Sequence, residues 1–136
     1  MSVTIYRQLQ GRSRRLIVDL LLSAPEKNTP SGVGFRLPVL IDTGAARSCI
    51  DTMAALAMGL EPCGSSVIYP ANGHADQVTD YEIDIDFDGY FICRNVRVAE
   101  IDLSDCYAII GMDVLSQCDL HITHPDGNTQ LEFIFD

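Results

Sequence analysis

The chain reads as a mainly β domain with one or two short helices. Apolar side chains come in short runs, several of them alternating with polar residues, and clusters of Gly, Pro, Asn and Asp separate those runs. Only one helical stretch of any length interrupts them, around 53–58. With 136 residues and 47% hydrophobic composition, the sequence suffices for a single core, so one domain over 1–136 is expected.

Each element follows from local chemistry. The leading segment carries Arg7, Arg12, Arg14 and Arg15 and is expected to form a solvated face or a flexible arm over 1–15. Residues 16–22 are short and apolar and read as a strand. Residues 24–36 hold two prolines, two glycines, Ser31, Asn28 and Thr29, which mark a long surface loop. A strand over 35–41 follows, in which Pro38 makes no ladder donor. A short strand over 47–50 precedes a helix over 53–58, capped by Asp51 or Thr52, stopped at Gly59 and packing its Met and Ala side chains into the core. Residues 67–69 and 78–83 bracket a turn-rich tip at 70–76, where Asn72-Gly73 suits positive φ.

Asp84, Asp86 and Asp88 alternate with Ile85 and Phe87. Read as a calcium loop, this stretch places Asn95 where a bidentate Glu is wanted, so a half-buried strand with its acids in water is expected instead, turning at Asp88-Gly89 into a strand over 90–98. Strands over 107–110, 120–123 and 130–135 and a helix over 113–117 complete the pattern, with a turn at 124–128. Cys118, His121 and His124 lack the partners of a zinc site, and no metal or cofactor is expected.

The most informative stretch is 37–45. An apolar strand delivers Asp42, followed by a hydroxyl at Thr43, a backbone without Cβ at Gly44 and a small Ala45. A carboxylate at the end of a buried strand loses hydration unless donors surround it, and this pattern supplies them, although the tripeptide is also what a simple strand-to-turn transition looks like. Downstream, Ile109-Ile110-Gly111 ends another apolar run.

In that order and spacing, Asp42-Thr43-Gly44-Ala45 and the Ile109-Ile110-Gly111 element resemble the signature of the retropepsin-like aspartic proteases. The resemblance runs from about residue 16 to the end. It implies a closed acid-protease barrel with a flap hairpin, whose substrate-binding tip would be Ala71, Asn72, Gly73 and His74. It also implies that Asp42 is catalytic, that Thr43, Gly44 and Ala45 support its loop, and that Ile109, Ile110 and Gly111 stand beneath it. One such Asp per chain is half of the chemistry, so a homodimer acting on a peptide or protein substrate is implied. Terminal strands interleave between subunits in such dimers, and Leu131, Phe133 and Phe135 supply a face that either a partner or the chain itself would cover. A non-catalytic dimerisation or peptide-binding module of the same fold is the alternative reading, and a processor of a single precursor a third. Ala45 gives the charged dyad no hydroxyl, so a mildly acidic optimum is expected.

Composition narrows the classes. A net charge of −10, from 19 acidic and 9 basic side chains, argues against nucleic-acid binding. The five cysteines have no CxxC spacing and an odd total, and are expected to be free, buried and apolar in a reducing compartment. No apolar run is long enough to span a bilayer, and a cytoplasmic location is expected.

Overall fold

A computed structural model of the chain describes residues 2–25, 34–69 and 73–136. Strands β1 (Val3–Leu9), β2 (Ile17–Ser23), β3 (Phe35–Ile41) and β4 (Cys49–Asp51) lead into helix α1 (Thr52–Ala57). Strands β5 (Gly64–Ile68), β6 (Asp76–Phe87), β7 (Phe91–Ile101) and β8 (Ala108–Ile110) precede helix α2 (Met112–Leu115). Strands β9 (Cys118–Thr123) and β10 (Thr129–Phe135) follow, joined through a 3-10 turn at Pro125–Gly127.

Six strands close on themselves. The order runs β2-β3-β8-β4-β7-β6, and β6 returns to β2 through Leu21–Asp86, Leu22–Ile85 and Ser23–Asp84. Alternation decides what fills the barrel: Leu20 and Leu22 point inward with Val39, Ile50, Val98 and Ile110, and none of the six is accessible to solvent. Closure removes the unpaired edges that an open sheet would carry. Strand β5 hangs outside the closed ring as the first strand of a hairpin with β6.

A second sheet, ordered β1-β10-β9, packs against this barrel. Its centre is β10, whose Leu131, Phe133 and Phe135 are fully buried. Phe87 of β6 meets Phe133 and Phe135 with ring centroids 5.4 and 4.9 Å apart, and Phe91 stacks on Phe135 at 4.0 Å. The face offered by the carboxyl-terminal strand is therefore covered by its own chain.

Four expectations are corrected. Residues 3–9 are no flexible arm: they form β1, paired along its length with β10 from Val3–Phe135 to Leu9–Thr129, because Ile5 is buried and Arg7 is anchored on Asp88 at 2.7 Å. Asp84 does not face water. A bulge between Ile83 and Ile85 breaks the alternation, and the buried carboxylate accepts from Arg94 at 3.1 Å and from the Asn95 amide at 2.8 Å. In α1 the core takes Ala54, Ala55 and Met58, whereas Met53 is 65% exposed and Ala57 also faces solvent, since a two-turn helix lying on a barrel buries one side only. Cys93 and Cys106 are buried free thiols as expected, but Cys63 is exposed in the link before β5. The tip residues 70–72 and most of the 24–36 loop lie outside the described residues. Among the described residues, no helix is long and apolar enough to cross a membrane.

Candidate active site

The site is made by a crossing of strands. β8 lies between β3 and β4, parallel to the first and antiparallel to the second, so the loop joining β3 to β4 has to pass over the end of β8. Asp42 is the first residue of that loop, and its amide donates to the Ile110 carbonyl at 3.0 Å as β3 ends. The chain leaving β8 passes under the loop at Gly111. A Cβ there would stand 2.7 Å from the Ala45 carbonyl oxygen and 2.8 Å from that of Arg47, so only glycine permits the crossing. The reason for an Ile-Ile-Gly sequence is thus steric: two apolar residues pair β8 into the barrel and a third residue without a side chain clears the loop.

Within the loop, the Gly44 amide donates to Asp42 Oδ1 at 2.8 Å, and a Cβ at Gly44 would lie 3.2 Å from that same oxygen. Asp42 is half-buried, with Thr43 and Gly44 exposed beside it. The carboxylate therefore sits at a surface rather than inside the barrel, held by one backbone donor and open on its outer side.

A second layer fixes the loop. Fully buried Ser48 donates from Oγ to Asp113 Oδ1 at 2.7 Å, its amide donates to Asp113 Oδ2 at 2.9 Å, and its Oγ accepts from the Gly111 amide at 3.0 Å. The Met112 amide donates to the Ala45 carbonyl at 2.7 Å. Neither Ser48 nor Asp113 stands out in the sequence as part of the site. The readable signal is an acid two residues after Gly111, in the first turn of a helix, where it can turn back to a small hydroxyl.

On the hairpin side of the loop lies a groove of about 530 Å³ whose wall is charged. Arg47 Nη1 donates to Ser66 Oγ on β5 at 2.6 Å, Ser66 donates to Asp80 at 2.7 Å, and Arg97 Nε donates to Asp80 at 2.8 Å. Burial alone would push the Asp80 carboxyl up, but Ser66, Arg97 and Arg47 outweigh it and hold it below the ordinary carboxylate range. This network ties the base of the β5–β6 hairpin to the loop that carries Asp42. Burial pushes the Cys49 thiol up, with Arg47 partly opposing it, so this neighbour of the loop stays a protonated, unreactive group at neutral pH.

Of the residues expected at the site, the structure gathers Asp42, Thr43, Gly44, Ala45, Ile110 and Gly111 into one crossing, with Ile109 beside them on β8. Gly73, at φ 83°, and His74 lie exposed on the approach to β6, while Ala71 and Asn72 fall outside the described residues. No cluster of three or more His, Cys, Asp or Glu able to hold a metal occurs among the described residues.

Neither a family model nor a curated protein matches the sequence. Solved structures do. A retropepsin-like aspartic protease from Rickettsia conorii aligns over 100% of this chain and 95% of its own, with a TM-score of 0.59 at 12% identity. The EIAV protease, solved in complex with the inhibitor HBY-793, aligns over 76% of this chain and 88% of its own, with a TM-score of 0.60 at 20% identity.

Proposed function

We propose, from the retropepsin-like fold that this chain shares with those two proteases, that it is an aspartic endopeptidase working as a homodimer, with one Asp42 contributed by each copy. The observation that carries this reading is the placement of Asp42: a half-buried carboxylate at the outer end of the β3–β8 crossing, fixed by the Gly44 amide on one oxygen and open on the other side. A lone acid in that position can bind a water but has no partner to supply the proton that peptide hydrolysis needs.

Two such carboxylates facing each other across a two-fold axis repel if both are ionised, so the pair keeps one proton. The ionised member takes a proton from the bound water as the water oxygen attacks the peptide carbonyl. The protonated member gives its proton to the carbonyl oxygen, which becomes the second hydroxyl of a tetrahedral diol. Transfer of a proton to the amide nitrogen then releases the amine and the carboxylic acid, and the dyad is left with one proton as before. Thr43 and Gly44 hold the two loops at the axis, and the β5–β6 hairpin covers the bound peptide. Rigid support from Ser48, Asp113 and Gly111 favours this chemistry, because misplacing the acids by an ångström is costly.

The test is digestion of a defined peptide library, read by mass spectrometry, with the chain and its Asp42→Asn variant. Cleavage that vanishes in the variant while its circular dichroism stays unchanged supports the enzyme. Peptide capture that is equal in both, with no cleavage in either, points to a binding module.

A further inference from the structure

We infer that the second copy docks edge to edge along β9, in antiparallel register with Leu120 facing Leu120 across the two-fold axis. This rests on the reading of the chain as a half-site enzyme, and three observations lead to it.

The first is topological. β10 already uses both of its edges, on β1 and on β9, so it cannot be threaded between strands of another subunit without dismantling the sheet. The free edges of that sheet are β1 and β9. Strand β1 runs on the side where Arg7 is anchored to Asp88, while β9 follows directly from α2 beside the Asp42 loop.

The second is an uncovered inner face. Cys118, Leu120 and Ile122 stand opposite Phe135, Phe133 and Leu131, and so belong to the face that packs on the barrel. Under β10 that face is dry, but under β9 the barrel stops short: Ile122 remains 42% exposed and Met112 40%. These side chains line an open groove of about 480 Å³ that reaches Thr43, next to the catalytic carboxylate. Whatever fills the groove stands at Thr43, the residue that follows Asp42. A second copy does so isologously, burying the same face of its own and bringing the missing acid.

The third is charge. With Leu120 on the axis, Asp119 of each copy faces His121 of the other, and Cys118 faces Ile122, each pair occurring twice. Moving the register by two residues would set imidazole against imidazole instead. His121 also lies 3.9 Å from Glu132 on β10, so in the joined sheet it sits between two carboxylates. The product is a continuous six-stranded sheet, β1-β10-β9 followed by its symmetry mate.

Sedimentation and peptide cleavage are measured together for the chain, for Ile122→Asp, and for Leu120→Cys in a Cys63→Ser, Cys118→Ser background. Because Ile122 is half exposed, its replacement leaves the melting temperature nearly unchanged yet weakens dimerisation at least about tenfold, since a carboxylate in an apolar contact costs more than 1.4 kcal/mol. Leu120→Cys should form a disulfide-linked dimer under oxidation whose cleavage no longer falls on dilution. A dimer that Ile122→Asp leaves intact and Leu120→Cys fails to cross-link overturns the β9 interface while leaving the enzyme reading standing. A chain that stays monomeric and inert overturns both.

Discussion

The two sheets of this molecule solve the same problem differently. The barrel satisfies itself: six strands pair in a ring, its interior side chains are inaccessible, and even its one awkward feature, the crossing at β8, is closed by Gly111, Ser48 and Asp113. The three-stranded sheet is left unfinished. Its inner face is buried under β10 and partly bare under β9, a strand whose outer edge has no ladder partner among the described residues. Edges and exposed apolar faces are liabilities that folded chains normally blunt, so the unfinished sheet beside the candidate catalytic loop is where the proposed second copy would dock, whereas the finished barrel holds the loop still.

The contrast can be broken most severely in the barrel. Gly111→Ala forces a methyl group against the backbone of Ala45 and Arg47, which cannot yield as a side chain would, and should abolish folding of the site loop, read as loss of both cooperative melting and cleavage. Asp42→Asn comes next and separates function from fold: turnover should fall by about a thousandfold or more, because both copies carry the change and the proposed dyad loses both groups that handle the proton, while the melting temperature moves little. Phe133→Ala tests how firmly the sheet is seated. Its ring is fully buried against Phe87, so a loss of about 3–5 kcal/mol in denaturant unfolding is expected.

Smaller effects sharpen the picture. Ser48→Ala removes the hydroxyl that satisfies Gly111 and Asp113 together and should cost about 1–3 kcal/mol, with a larger fall in kcat than in KM if the loop loosens. The mildest prediction concerns acid. Arg7, hydrogen-bonded to Asp88, holds that carboxyl below its usual range, and Ser66, Arg97 and Arg47 do the same for Asp80 against the opposing effect of burial. Folded-state values below the unfolded ones mean that the stabilisation is fully present above about pH 4 and is lost as pH falls through the folded values. Melting temperatures should therefore drop below about pH 4, and Arg7→Ala should flatten that slope while changing stability at neutral pH by no more than about 1 kcal/mol.

Much of this architecture was legible from the residues. The strand that delivers Asp42 is bounded at Phe35 and Ile41 by a turn-rich loop and by the acid itself, and period-two alternation makes β10 equally plain. Asp51 accepts from the Met53 amide at 3.1 Å, the cap that its position before an apolar helical run announces. What stayed hidden depended on contacts distant in sequence. Nothing near Asp84 reveals that a bulge will turn it inward toward Arg94, and nothing near Arg7 reveals Asp88. Local composition made the leading segment look solvated because its basic side chains were counted without their acids. Ser48 and Asp113 were missed for the same reason: each is unremarkable until the crossing brings them within 2.7 Å. The β9 edge was likewise invisible, since a strand's neighbours are a property of topology rather than of its own sequence.

The pairing of β1 with β10 also bears on how the molecule comes into being. Val3 lies opposite Phe135 and Leu9 opposite Thr129, so β1 has no ladder to join until β10 has been made. Until then Ile5 on one side and Phe87 and Phe91 on the other lack the cover they have in the folded core. Pairing of β1 with β10 is the slow step expected of a contact that spans so much of the polypeptide, whereas β9 and β10 meet as neighbours in sequence.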